Sequence, residues 1–387
     1  MRIGFLGGSF NPVHFGHIAI ARQAFKEFSL DKVLLIVAAE PPHKEIAFHV
    51  SGTKRYEMLK CGLADETCIE ASDVELKRKG KSYTYDTVQL LKDAYPDAEL
   101  YCIVGADMLY DLPNWYKARE LLQEVGFIGF ARGGEARDVS LKAQELTKRY
   151  GAKVHLSKIS GPELSSTEIR ERVNAARSIK DMLPEAAEQY LYENGLYQPE
   201  DLLIKQEKLR HALNEERYIH SIGTVRMAIW LAERYSVDVE KARLAALLHD
   251  CAKVSKTQLR VYLERFQICP NAYAKRYPDI LHGPLGAEVA RTEYGVEDPE
   301  VLLAIANHTV LSQGISDLEK IIYLADKIEP TRDYADVSQI REAAARSLNE
   351  GVLKCMEHTL TYLTENKKEI DPCIYWAREY LLKYNKS

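Results

Sequence analysis

Two rhythms of apolar and polar positions divide the chain. Up to about residue 195, short apolar runs alternate with stretches of helical spacing. The runs Ile3–Leu6, Val33–Ala38, Cys68–Val74, Leu100–Val104, Phe127–Ala131 and Lys153–Leu156 have the length and apolar content of buried strands. Between them, Ile18–Phe25, Thr53–Ala64 and Thr84–Ala94 repeat their apolar positions with a helical period. This alternation predicts a doubly wound, parallel α/β sheet, in which ligands bind beyond the carboxyl ends of the strands. Around Gln198-Pro199-Glu200-Asp201 the rhythm changes. Helical patterns follow at Ile219–Tyr235, Val239–Leu248, Leu285–Tyr294, Val301–Asn307 and Asp317–Ile328, then as one long stretch from about Val337 to Asn366. The expected division is an α/β domain over 1–197, a linker at 198–204 and an all-α domain over 205–387.

Composition narrows the function classes. The chain has 387 residues, 46% of them hydrophobic and 28% charged, which suits a soluble protein of two ordinary domains. Its net charge of −5 argues against a general nucleic-acid binder, so phosphate chemistry has to rest on local basic groups or metals. Met1-Arg2-Ile3-Gly4 leads directly into the first strand, so no signal peptide is expected. The longest apolar run, Val33 to Ala39, is too short to span a bilayer. Seven cysteines without a Cys-x-x-Cys pair read as reduced thiols. The expectation is a cytoplasmic protein with no membrane or nucleic-acid partner; a homo-oligomer is compatible with it.

The richest chemistry in the first half is Gly7-Gly8-Ser9-Phe10-Asn11-Pro12-Val13-His14-Phe15-Gly16-His17. It turns the first strand into the first helix, where parallel sheets hold phosphates. His14 and His17 share a face of the entering helical turn, and two imidazoles there can grip a polyphosphate. The string is neither a Walker loop nor Gly-x-Gly-x-x-Gly. Leu164-Ser165-Ser166-Thr167-Glu168-Ile169-Arg170 combines a capping segment with an arginine one turn on. These strings resemble the (His/Thr)-x-Gly-His and Ser-Ser-Thr-x-x-Arg signatures of nucleotidyltransferases. Residues 1 to about 197 resemble bacterial nicotinate-nucleotide adenylyltransferases of the NadD type, down to Leu183-Pro184, Tyr190-Leu191 and Gly195-Leu196-Tyr197. The resemblance implies that ATP and nicotinate mononucleotide give deamido-NAD and pyrophosphate, with Mg²⁺ on the triphosphate. It implies ATP contacts from Gly7, Gly8, Ser9, Phe10, His14, His17, Gly105, Ser166, Thr167 and Arg170, with His14, His17 and Arg170 catalytic. It places Lys44, Thr84, Asp107, Trp115 and Arg132 around the nicotinate nucleotide. Residue by residue, Asp107 reads either as a helix N-cap or as a contact to a sugar hydroxyl, and a Trp such as Trp115 near a loop is more often core than a stacking partner for a flat ring.

In the second half, His220, His249-Asp250, His282, His308 and Asp326 each stand beside apolar helix. An adjacent His-Asp pair inside an apolar run is informative, because burying an ionised aspartate without a cation is costly. Six N/O donors suit two Fe, Mn or Zn ions, which can clamp both oxygens of an attack on phosphorus. The order His, His-Asp, Asp is the signature of the HD phosphohydrolases. With Leu281-His282-Gly283 and the run Ile321 to Arg332, residues from about 205 onward resemble the symmetrical diadenosine-tetraphosphate hydrolases of the YqeK type. That resemblance implies cleavage of diadenosine tetraphosphate to two ADP at a di-iron centre held by His220, His249, Asp250, His282, His308 and Asp326. Asp250 is the catalytic candidate, and Lys253 and Arg332 are candidate phosphate contacts. One departure stands out: the family's His-Thr-Thr-Gly is here His308-Thr309-Val310-Leu311. The other readings are a different nucleotide substrate or a metal-stabilised regulatory module.

Overall fold

The computed structural model describes residues 1–39, 48, 50–78, 80–130, 136–159, 164–311 and 314–384. They form two compact units: Met1–Glu171 with Ile179–Leu196, and Arg172–Ser178 with Tyr197–Ser387.

Six parallel strands make the first unit: β1 (Arg2–Gly8), β2 (Lys32–Val37), β3 (Ile69–Ser72), β4 (Glu99–Gly105), β5 (Gly126–Phe130) and β6 (Lys153–Leu156). Their order, β3-β2-β1-β4-β5-β6, is that of a doubly wound sheet. The helices in chain order are α1 (Phe15–Glu27), α2 (Gly52–Gly62), α3 (Thr84–Ala94), α4 (Ala106–Asp111), α5 (Ala118–Glu124), α6 (Ala136–Tyr150), α7 (Ser166–Asn174) and α8 (Glu185–Glu193). Alternate strand residues Ile3 and Phe5, Leu34 and Ile36, and Leu100, Cys102 and Val104 share a core with Val88, Leu91, Leu121 and Leu146. The run at Cys68–Val74 yields only the four-residue β3, because the chain turns through the Leu76 amide to the Asp73 carbonyl at 2.9 Å. The registered pairs of β1 and β4 stop at Phe5↔Cys102, yet the strands continue to Gly8 and Gly105. This is where the strand order reverses, and sheets of this type open a crevice there.

The second unit is helical: α9 (Glu200–Ala212), α10 (Glu215–Arg234), α11 (Val239–Leu248), α12 (Lys256–Arg265), α13 (Ala272–Arg276), α14 (His282–Tyr294), α15 (Pro299–Asn307), α16 (Asp317–Ile328), α17 (Val337–Arg346), α18 (Leu348–Glu365) and α19 (Pro372–Tyr384). The long stretch expected from Val337 is two helices. Ser347 is extended (φ −151°, ψ 133°), and its side chain accepts from the Glu350 amide to start α18. Gly351 lets the two helices meet, since a Cβ there would lie 2.8 Å from Ala344 Cα. No helix among the described residues is long and apolar enough to cross a membrane. All seven cysteines are free thiols.

Candidate active sites

The first site grows from the end of β1. A Cβ on Gly7 would meet nothing within 4 Å, so the strand end faces open space. His14 is the N-cap residue of α1, and His17 sits in its first turn. Their rings stack with centroids 3.7 Å apart, and the edge of Phe10 meets His17 at 5.0 Å. A Cβ on Gly16 would fall 2.8 Å from His14 Nδ1, so the glycine is demanded by packing. The His14 amide donates to His17 Nδ1 at 3.3 Å, which leaves the His17 proton on Nε2. Burial and the neighbouring His14 hold the His17 pKa well below its usual value. His17 is therefore a neutral N–H donor at neutral pH.

Helix α7 brings the second motif to the same loop. Ser166 Oγ donates to the Pro12 carbonyl at 2.8 Å, and Arg170 Nη1 donates to the Asn11 carbonyl at 2.7 Å. Arg170 Nη2 also reaches Thr167 Oγ1 at 3.0 Å. A residue the sequence reading passed over ties down the other side. Arg55, fully buried on α2, donates to the carbonyls of Ser9 at 2.6 Å, Ala38 at 2.8 Å and Val50 at 3.3 Å. Its only signal in the sequence is a charge on the apolar face of a helix.

Gly105 closes β4 and is the N-cap of α4; a Cβ on it would lie 2.6 Å from Asp107 Oδ1. Asp107 is thus a first-turn residue folded back over Gly105, not the cap. Thr84 is the first residue of α3, and Trp115 follows the 3₁₀ turn Leu112–Asn114, half-buried against the core. Lys44 and Arg132 lie outside the described residues.

The second site lies wholly in the helical unit. His220 is on α10, His249 and Asp250 follow α11, His282 opens α14, His308 ends α15 and Asp326 is on α16. All six converge. His220 Nε2 lies 3.0 Å from Asp326 Oδ1 and 3.3 Å from His249 Nε2. His282 Nε2 lies 3.0 Å from His308 Nε2 and 3.2 Å from Asp250 Oδ1. Two overlapping sets, His220–His249–Asp326 and His249–Asp250–His308, each keep their donor atoms within 4.8 Å of one another.

The opposite ring atoms explain the arrangement. Nδ1 of His249 meets the Ala246 carbonyl at 2.8 Å, Nδ1 of His308 meets the Ile305 carbonyl at 2.7 Å, and Nδ1 of His282 meets the Asp279 carbonyl. His220 turns its Nδ1 to Glu329 Oε1 at 3.1 Å. A carbonyl accepts only, so the proton of each of those three rings sits on Nδ1 and its Nε2 is a bare lone pair. Lone pairs 3.0 Å apart repel, and Asp250 Oδ1 is buried without a hydrogen-bond donor. A cation resolves both, and the imidazole and carboxylate set suits Fe, Mn or Zn. The donors fit divalent metal.

Burial would raise the Asp250 pKa, but the Lys253 ammonium, 3.0 Å from Oδ2, works against it, and the pKa is held below the carboxylate range. Asp326 is held down likewise, by Lys327 and His220 against its burial. Burial pushes His249 down to about 3. Burial also disfavours a charge on His220, yet Asp326 and Glu329 raise it. Lys253 Nζ stands 3.0 Å from Asp250 Oδ2, and Arg332 Nη2 stands 3.0 Å from Asp326 Oδ1. Lys327, 3.0 Å from Asp326 Oδ2, and Glu329 complete the site and were not singled out from the sequence.

Comparison with known proteins agrees with both halves. Residues 5–172 match the cytidylyltransferase-like family, and residues 217–331 match the HD domain. A probable nicotinate-nucleotide adenylyltransferase of Gloeobacter violaceus is 41% identical over 198 residues, 51% of this chain and 96% of that protein. One of Desulfitobacterium hafniense is 40% identical over 199 residues, 51% of this chain and 95% of that protein. A crystal structure described as a predicted HD superfamily hydrolase involved in NAD metabolism, from Clostridium acetobutylicum, shares 34% identity and covers 46% of this chain and 95% of that one, with a TM-score of 0.45. This chain belongs to the nicotinate-nucleotide adenylyltransferase family, and it carries an HD domain behind the shared portion.

Proposed function

We propose that the chain is a bifunctional enzyme, an adenylyltransferase over 1–197 joined through 198–204 to a metal-dependent phosphohydrolase over 205–387. The first activity transfers the adenylyl group of ATP to nicotinate mononucleotide, giving deamido-NAD and pyrophosphate. The observation that carries it is the joining of the two motifs at one loop through Ser166 and Arg170. A phosphate oxygen of the acceptor attacks the α-phosphorus, and the bond to the β-phosphate oxygen breaks. The acceptor phosphate is already nucleophilic, so no general base is required and positioning dominates. The Nε2–H of His17, the ring of His14 and the positive charge of Arg170 stabilise charge that builds on the leaving pyrophosphate. Mg²⁺ arriving with ATP adds positive charge to the same oxygens. Thr84, Asp107 and Trp115, with Lys44 and Arg132, are assigned to the nicotinate nucleotide.

For the helical unit we infer symmetrical hydrolysis of diadenosine tetraphosphate to two ADP. The convergence of four Nε2 atoms with Asp250 and Asp326 supports phosphohydrolase chemistry at that cluster. Divalent metal held there, iron being our first choice, would polarise a phosphoryl group and lower the pKa of water. Lys253 and Arg332 stand on the two aspartates, where they meet substrate phosphate while limiting the negative charge of the site. The test is chromatography of diadenosine tetraphosphate incubated with protein reconstituted anaerobically with Fe²⁺ or Mn²⁺. ADP as sole product, absent with Asp250→Ala, is the expected result. No product, alongside intact synthesis of deamido-NAD, would remove this substrate and leave the transferase reading standing.

A further inference from the structure

Helix α3 starts without a side-chain cap. Its N-cap residue, Tyr83, makes no cap hydrogen bond to the first turn, and an uncapped helix start favours negative charge. Asp86 stands in that same turn and would oppose such charge, but Arg78 Nη1 pairs with its Oδ2 at 2.9 Å. Arg78 Nη2 also donates to the Lys81 carbonyl. Ser82 Oγ accepts from the Ala39 amide at 2.9 Å, just past the end of β2. Side chains therefore fix the approach to α3 step by step.

One more group holds this turn, and it is a carboxyl. Glu75 is only 7% exposed, and its Oε1 lies 2.6 Å from Thr87 Oγ1. Thr87 Oγ1, itself buried, lies 3.2 Å from the Tyr83 carbonyl. One hydroxyl proton cannot serve both oxygens. Glu75 Oε2 is buried without a hydrogen-bond donor, so an ionised carboxylate is costly there. Burial pushes the Glu75 pKa up, against Ser82, Thr87 and Arg78. A carboxyl that keeps its proton donates it to Thr87 Oγ1, and the Thr87 hydroxyl is then free to donate to the Tyr83 carbonyl.

We propose that Glu75 is a positioning residue of the transferase: by donating a hydrogen bond to Thr87 it sets the Tyr83–Thr84 start of α3, to which the nicotinate nucleotide is assigned. The proposal rests on the transferase reading. Glu75 acts through Thr87 and needs no contact with substrate. A donor at this place also keeps a second negative charge away from an acceptor that is itself an anion, which an ionised carboxylate would not do.

The test measures KM for nicotinate mononucleotide and KM for ATP separately, in the full chain. Glu75→Leu removes the donor and is expected to raise KM for nicotinate mononucleotide about tenfold, with KM for ATP within about twofold of wild type. Glu75→Gln keeps the shape and offers an amide N–H to Thr87, so both constants are expected to stay within about twofold of wild type. Thr87→Val removes the hydroxyl between Glu75 and Tyr83 and is expected to match Glu75→Leu. The double variant Glu75→Leu/Thr87→Val is expected to be no worse than either single one, because both break the same connection. A loss confined to kcat, or one shared equally by the two substrates, would assign Glu75 to folding and overturn the proposal. Glu75→Gln as impaired as Glu75→Leu would overturn it as well. If Glu75→Leu fails to fold, Thr87→Val and Glu75→Gln still decide. Wild type that makes no deamido-NAD would overturn the transferase reading and this proposal with it, whereas active wild type with unchanged KM values in the variants removes only the role of Glu75.

Discussion

His220 Nδ1 lies 3.1 Å from Glu329 Oε1, and this fully buried carboxylate packs against the helix that carries His220. A Cβ on Gly223, one turn further along α10, would fall on Glu329 Oε2. Glu329 also accepts from the Thr331 amide at 2.7 Å and the Thr331 hydroxyl at 2.5 Å, so its position is over-determined. Carboxylates behind a ligating histidine orient the ring and raise its basicity, and their loss costs about 10–100-fold in metal affinity. Glu329→Gln is expected to weaken metal binding within that range, read by competition with a chelator of known affinity. Gly223→Ala is expected to do the same by displacing Glu329. Wild-type affinity in both would show that Glu329 does not act through His220.

Gly16 poses the corresponding question in the transferase unit. Its position is helical, so alanine suits the backbone; the obstacle is His14, whose Nδ1 would lie 2.8 Å from the new Cβ. The His14 ring has to turn, which breaks its stack on His17. Displacement of a positioning group by about 1 Å can cost 10²-fold. Gly16→Ala is expected to lower kcat/KM for deamido-NAD synthesis by about that factor while thermal unfolding changes little. A drop in unfolding temperature that matches the loss of activity would assign Gly16 to folding instead.

How far the sequence spoke for itself depended on the range of the interaction. The strand runs and the helices Val239–Leu248 and Asp317–Ile328 follow from local periodicity and caps, and the structure gives both helices the expected ends. The break at Ser347 was hidden, because it needs Ser347 to cap α18 and Gly351 to meet Ala344. The His and Asp positions of the cluster stood out because polar residues interrupt apolar helices. Glu329 and Lys327 did not, since a charge near a helix end reads as solvated surface until the opposing helix is known. Arg55 is the extreme case: its partners are backbone carbonyls, which carry no side-chain signature.

Arg55 therefore tests whether a buried structural charge shapes the transferase loop. Arg55→Met keeps much of the volume and leaves the Ser9, Ala38 and Val50 carbonyls without this donor. Each buried acceptor left unmet costs about 1–3 kcal/mol. With three acceptors affected, the variant is expected to lose at least about 3 kcal/mol of unfolding free energy by that measure, with a higher KM for ATP because the Ser9 end of the loop is released. Denaturant titration and initial rates check the two parts separately. Unchanged stability would mean that the loop carbonyls find other donors.

The buried imidazole of His17 makes the last prediction one of pH. Burial first, and then His14, lower its folded pKa well below the unfolded value of 6.5. Above pH 6.5 both states are neutral at this position, and its contribution to stability is complete. As pH falls below 6.5, the unfolded chain takes up a proton that the folded chain refuses, so stability is lost toward the depressed folded pKa. The limiting slope for one such group is about 1.4 kcal/mol per pH unit. Other titrating groups contribute to the raw curve, so the comparison is with His17→Asn, which removes this one proton site. The wild type is expected to lose stability faster than the variant between pH 6.5 and 5, with parallel curves above pH 7. Parallel curves throughout would mean that His17 takes up its proton without unfolding. The same neutrality bears on the ATP contact proposed for His17: a ring that resists protonation in the free protein offers Nε2–H as a donor, so ATP binding near neutral pH is expected to proceed without proton uptake at His17. Isothermal titration in buffers of different ionisation enthalpy reads that quantity directly. A proton taken up with ATP in the wild type, but not in His17→Asn, would replace the neutral donor by a cation.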